Sequence, residues 1–156
     1  MKKYIAIATS LGMGYFPKAP GTAGALLGML IMFFLNKLLT LFDFSSGIIL
    51  FLDLLAIVLI TLIGVKAIKK VHEIWPHDDN KIVIDEVVGV WISLLFLPLN
   101  FYYYLLAFAV FRVFDIAKPF GIKKIDEKHT DWGVMWDDIL AGIYALIVMQ
   151  IIIKLL

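Results

Sequence analysis

The stretch TAGALLGMLIMFFLNKLLTLF, residues 22–42, decides the fold. Apart from Asn36 and Lys37 it is nearly all apolar, and roughly 20 such residues in a helix cross the hydrocarbon core of a bilayer. Residues 47–65, GIILFLDLLAIVLITLIGV, repeat the pattern with Asp53 as the single charge. Only a short turn separates the two runs, so they form an antiparallel helical hairpin. Outward from this pair lie three further apolar segments, 82–99, 101–114 and 137–156. The first two meet at Pro98-Leu99-Asn100 and are short for full crossings, so this second hairpin is tilted, re-entrant or interfacial. The expectation is an all-α polytopic membrane helical bundle of about four to five membrane segments. No repeat, linker or low-complexity tract divides it, so residues 1–156 read as one domain.

Composition points the same way. The chain is 62% hydrophobic and 17% charged, whereas a soluble domain sits near one half and one quarter. A net charge of +1 gives no reason to expect a nucleic-acid partner. The absence of cysteine excludes disulfides, thiolate metal sites and a cysteine-nucleophile phosphatase. The apolar run after Lys2 and Lys3 breaks at Thr9 and Ser10, too early for a cleaved signal peptide.

Where the charges fall says more than their sum. With the N-terminus on side one, each hairpin returns to side one, so residues 66–81 and 115–136 share that face. Twelve of the 14 basic residues lie there, all but Lys37 and Lys154. The positive-inside rule makes that face cytoplasmic. All of the 13 acidic residues except Asp43 and Asp53 lie there too, which the rule does not require. A mixed-charge cluster at one membrane face is therefore a candidate site.

Four motifs supply it. In GMGYFPKAPGTAGALLG (12–28), prolines and glycines break regular structure and Thr22 is placed to cap the following helix. The free N–H groups of that helix start, around Pro20-Gly21-Thr22, suit a phosphate. No Gly-Lys-Ser/Thr follows, so this is not a nucleotide P-loop. In DDNKIVIDEVVGVWIS (78–93), Asp85 and Glu86 interrupt an apolar stretch where bare carboxylates are costly. Adjacent positions diverge by about 100° on a helix, so at most one of the pair is expected to point straight into a given site. Gly89, four residues after Asp85, permits close approach of another helix. In FRVFDIAKPFG (111–121), Arg112, Asp115 and Lys118 form a polar stripe, and Pro119 turns Lys118 out of helical geometry. Arg offers a planar fork and Lys a mobile charge for phosphate oxygens. In DWGVMWDDILAGIY (131–144), Asp137 and Asp138 precede Ala141 and Gly142 by one turn, echoing Asp85, Glu86 and Gly89. Two such helix starts facing each other cage a hard cation such as Mg²⁺.

His72, His77 and His129 have no metal-ligand spacing, although His77 stands beside Asp78 and Asp79. The serines lack a nucleophile-elbow context. Trp75, Trp91, Trp132 and Trp136 fit interfacial anchoring or packing.

The four motifs, in this order and spacing over roughly residues 12–145, resemble the phosphatidylglycerophosphatase A family, Mg²⁺-dependent membrane phosphatases of bacterial phosphatidylglycerol synthesis. PKAPGTAGALLG, IVIDEVVGVWIS, FRVFDIAKP and GVMWDDILAGIYA carry the resemblance. Phe120-Gly121-Ile122 departs from it, since the family more often has a second proline after KP. The resemblance implies hydrolysis of the terminal phosphate of phosphatidylglycerophosphate at the cytoplasmic face of the bacterial inner membrane, with a membrane phospholipid as substrate. It also suits the residue reading. Mg²⁺ would be held by some of Asp85, Glu86, Asp115, Asp137 and Asp138, with Asp85, Glu86, Asp115 and Asp138 as the catalytic acids. Arg112, Lys118, Gly21 and Thr22 would bind the phosphate. Water is preferred to Asp as nucleophile because the aspartyl-phosphate motif DxDx[TV] is absent. The competing reading is a non-enzymatic transporter subunit or ion pathway, which calls for mid-span polar groups. Asn36, Lys37 and Asp53 are the candidates, and no pairing among them is expected.

Overall fold

The computed structural model describes residues 1–76, 79–119, 121 and 130–155. The expectations attached to His77, Asp78, Lys123, Lys124, Lys128 and His129, and to Phe120 and Ile122, lie outside the described residues. Among the described residues six α-helices follow one another: α1 (Lys2–Ala8), α2 (Pro20–Leu41), α3 (Ser46–Val71), α4 (Ile84–Ser93), α5 (Phe101–Ala117) and α6 (Asp131–Leu155). A 3₁₀ turn, Met13–Tyr15, lies between α1 and α2.

Helices α2, α3 and α6, of 22, 26 and 25 residues, are long and apolar enough to cross a membrane. The 17 residues of α5 rise about 25 Å, near the lower limit for a crossing. The ten residues of α4 rise only about 15 Å. The bundle is thus all-helical with roughly the expected number of segments, one of them half-length.

Several boundaries move, each for a local reason. Helix α2 starts at Pro20, whose fixed φ and missing N–H suit a first helical position, so Thr22 lies inside the first turn rather than at the cap. Helix α3 runs past Val65 to Val71, ending on Lys69 and Lys70, which complement its partial negative terminus. Helix α4 stops at Ser93 although 94–97 stay apolar, because the chain turns there through Phe96 at φ 61°. Helix α6 begins six residues before Asp137, since Thr130 Oγ1 accepts the Gly133 N–H at 2.9 Å and caps it.

Helix α4 is the core of the molecule. Nine of its ten residues are buried, and it packs on α2, α3, α5 and α6. Small residues on α2 let it approach: Trp91 Nε1 donates to the Gly28 carbonyl at 2.8 Å, and a Cβ at Gly24 would lie 2.8 Å from Val83 Cβ. Helix α3 instead exposes Phe51, Val58 and Leu62 on a face suited to lipid.

At the α2–α3 turn the structure corrects one expectation. Asn36 Nδ2 donates to Asp53 Oδ2 at 2.9 Å and to the Tyr104 hydroxyl at 3.3 Å. Asn36 and Asp53 sit about equally far from the turn, so hairpin register brings them opposite each other. Polar side chains in a membrane bundle find partners across helices in this way.

Candidate active site

The site is built on a crossing of two backbones. A Cβ added at Gly142 would collide with the Gly89 carbonyl, and one at Gly89 would lie 2.7 Å from the Asp138 carbonyl oxygen. Only glycines allow α4 and α6 to meet so closely. Asp85 and Asp138 each stand four residues, about one turn, before their glycine, so the crossing sets them at one level.

Glu86 joins them. One carboxylate oxygen from each of Asp85, Glu86 and Asp138 lies within 4.8 Å of the other two. Both members of the adjacent pair reach the site, although helix geometry lets at most one point straight into it. The extra methylene of Glu86 carries its carboxylate around the helix, and Gly21 leaves the room, since a Cβ there would collide with Glu86 Oε1.

Asp85 and Asp138 are 7% and 3% exposed. Asp85 Oδ1, Glu86 Oε2 and Asp138 Oδ1 are buried and accept no hydrogen bond among the described residues. Burial pushes the Asp85 carboxyl well above the usual carboxylate range, and the charges of Glu86 and then Asp137 add to the rise. Burial also raises Glu86, with Asp115 pushing the same way and Arg112 opposing.

The cations arrive from α5. Arg112 pairs with Asp115 one turn later, while its Nε is buried without an acceptor among the described residues. Lys118 caps α5 in a left-handed conformation (φ 44°, ψ 50°), outside the right-handed helical geometry that the following proline disfavours, and its Nζ donates to Asp137 Oδ2 at 2.8 Å. Asp115 and Asp137 are therefore engaged by basic groups, whereas Asp85, Glu86 and Asp138 face one another.

All the residues singled out in the sequence, Gly21, Thr22, Asp85, Glu86, Arg112, Asp115, Lys118, Asp137 and Asp138, line one cavity of about 580 Å³. The first inward backbone bond of α2 runs from the Ala23 N–H to the Ala19 carbonyl at 3.1 Å, so helix geometry leaves the N–H groups of Gly21 and Thr22 free. Lys18, Asp79 and Asn80 also line the cavity, and sequence reasoning gave them no role. The available signal for Lys18 was its place between Pro17 and Pro20, where it takes φ 72°. His72 stands beside the site rather than in its lining: its Nδ1 lies 2.6 Å from Asp131 Oδ1 and ties the end of α3 to the start of α6.

This chain matches the family model for phosphatidylglycerophosphatase A over residues 6–153. The chain belongs to the phosphatidylglycerophosphatase A family. Two curated relatives carry the same name. It is 42% identical to a Haemophilus influenzae phosphatidylglycerophosphatase A, over 92% of this chain and 84% of that one. It is 34% identical to the Escherichia coli phosphatidylglycerophosphatase A, over 88% and 76%. A Bacteroides thetaiotaomicron protein provisionally named a phosphatidylinositol-3-phosphatase is 42% identical over 94% and 91%. No solved structure matches the chain. Family membership assigns a phosphatase and disfavours the transporter or ion-pathway reading.

Proposed function

We propose that the protein hydrolyses the terminal phosphate monoester of phosphatidylglycerophosphate, giving phosphatidylglycerol and inorganic phosphate, in a Mg²⁺-dependent reaction at the cytoplasmic face of the bacterial inner membrane. The observation that carries this reading is the group of three mutually facing carboxylates, Asp85 and Asp138 buried and Glu86 partly buried, with Arg112 and Lys118 on the wall of the same cavity.

The donor set fits the metal. Mg²⁺ takes oxygen ligands, commonly one or two carboxylates with water and substrate phosphate. Asp85, Glu86 and Asp138 supply carboxylate oxygens that accept no hydrogen bond among the described residues. They would hold the ion. A divalent cation there would neutralise charge on a dianionic phosphate and offset the repulsion among the three acids.

The remaining residues divide the work. Arg112 presents the guanidinium nitrogens that Asp115 does not occupy, and Lys118 brings a mobile ammonium from the end of α5. The N–H groups of Gly21 and Thr22 add donors at the partially positive start of α2. Together they fix the phosphate with its ester oxygen toward the membrane. A water molecule attacks phosphorus, the P–O ester bond breaks, and the alkoxide leaves with a proton from that water as the lipid alcohol. The acyl chains stay at bilayer depth, because the acidic cavity lies at helix ends and receives only the headgroup.

The deciding assay uses protein purified in detergent, with phosphatidylglycerophosphate or phosphatidylinositol 3-phosphate, each with and without Mg²⁺. Phosphate release from the first, dependent on Mg²⁺, is the expected result. Release only from the phosphoinositide would move the substrate to the class named for the Bacteroides relative. No release with any divalent ion would overturn the proposal.

The facing of the site has its own test, made clean by the absence of native cysteine. Tyr15→Cys and Phe44→Cys place exposed thiols at opposite ends of the bundle. A membrane-impermeant maleimide on intact spheroplasts should label Cys at 44 and reach Cys at 15 only after lysis. The reverse pattern would place the site outside.

A further inference from the structure

Met13 and Phe16 belong to the 12–28 motif but take no part in phosphate binding. In the structure they form one wall of a groove whose floor is the outer face of α2, at Ala23, Leu26, Leu27 and Leu30. The groove is almost wholly apolar, with a volume of about 300 Å³. Ala19 and Thr22 line both this groove and the acidic cavity, so the two adjoin at the start of α2.

The groove is more than ordinary lipid-facing helix surface. One side is built by the 3₁₀ turn Met13–Tyr15 and the chain after it, folded back along α2 between left-handed residues at Leu11, Gly12 and Lys18. Its length is also informative. From Ala19 to Leu30 a helix rises about 16 Å, close to half of a roughly 30 Å hydrocarbon core. It therefore begins at the phosphate cavity and runs through the depth of one leaflet.

From this adjacency and depth we infer that the groove along α2 seats one acyl chain of the lipid whose phosphate is in the acidic cavity. The inference rests on the phosphatase reading of that cavity and names the part of the substrate it leaves unassigned. A volume of about 300 Å³ holds part of a single chain, leaving the second chain in the bilayer. Moving a chain from lipid into an apolar groove gains little free energy, because lipid tails are as apolar as leucine. What the groove supplies is alignment: a held chain limits rotation of the headgroup and keeps the ester oxygen facing the membrane.

Two measurements test it. The first is crosslinking with a phosphatidylglycerophosphate analogue carrying a diazirine on one acyl chain. Labelling should concentrate on residues 23–30 and be competed by unlabelled phosphatidylglycerophosphate, but not by phosphatidylcholine. Equal labelling of α2 and of the exposed α3 residues Phe51, Val58 and Leu62 would overturn the inference. The second compares Ala23→Phe and Leu27→Trp with wild type on dioleoyl and dihexanoyl substrates. The variants should lose about tenfold in kcat/KM on the long-chain lipid and less than about twofold on the short-chain one. Equal losses on both, or none on either, would reject the groove while leaving the phosphatase reading intact. Inactivity of the wild type on both lipids would instead refute the phosphatase reading itself.

Discussion

Where α2 turns into α3, a cavity of about 560 Å³ holds one carboxylate, Asp53, with the Asn36 amide donating to it and also reaching Tyr104. At the other end of the bundle, a cavity of about 580 Å³ gathers Asp85, Glu86, Asp138, Asp115 and Asp137. The volumes are nearly equal and the chemistry is opposite. A single polar group that finds a neighbour across the helices is a fastener, of the kind membrane bundles use for cohesion. Three carboxylates facing one another in a largely buried site repel, and withdrawal from water adds to the cost of keeping them ionised. In the proposed function a cation would offset that repulsion, so the two ends differ in the charge their neighbours leave uncompensated.

The largest expected effect comes from removing that excess charge. Asp85→Asn and Asp138→Asn should each lower phosphate release by about 10³-fold or more while the protein elutes and melts as a folded species. Near-normal turnover in both would remove the proposed cation cage. Next comes Gly142→Ala, which places a methyl against the Gly89 carbonyl. Overpacking of this kind typically costs about 1–3 kcal/mol, read as a lower Tm in detergent, and here activity should fall too because Asp85 and Asp138 lose their common level. A Tm drop with full activity would show that the crossing holds the fold but not the site. The smallest effect belongs to the far end. Asp53→Asn, which keeps the shape, should leave turnover within about twofold and change stability by roughly 0.6 kcal/mol. A large loss of turnover there would mean that the two ends are coupled.

Much of the acidic end was legible because its logic is short-range. An acid, three intervening residues and a small residue, placed at two helix starts, is visible as Asp85-to-Gly89 and Asp138-to-Gly142 in the chain itself. Hairpin parity then carried all four motifs to one face. The reach of Glu86 was not legible, since it depends on the space opened by Gly21 of another helix. Neither was the pairing of Asn36 with Asp53, which follows from hairpin register rather than local pattern. Hydropathy also could not mark the end of α4, because Leu94, Leu95 and Leu97 are as apolar as the helix they follow. Lys18 and Asp79 entered the site from turns, where periodicity is silent.

The burial of α4 has a consequence for how the sequence can change. The outward positions of α3 need only dissolve in lipid, so at Phe51, Val58 or Leu62 one large apolar side chain can replace another freely. Helix α4 is surrounded by protein and lies under the carboxylates, so each of its valines must match a neighbour's shape as well as its polarity. A half-length helix that hydropathy alone would rank as the weakest membrane segment should therefore be the least mutable part of the chain. A saturation library scored for activity should leave α3 nearly blank and α4 densely marked.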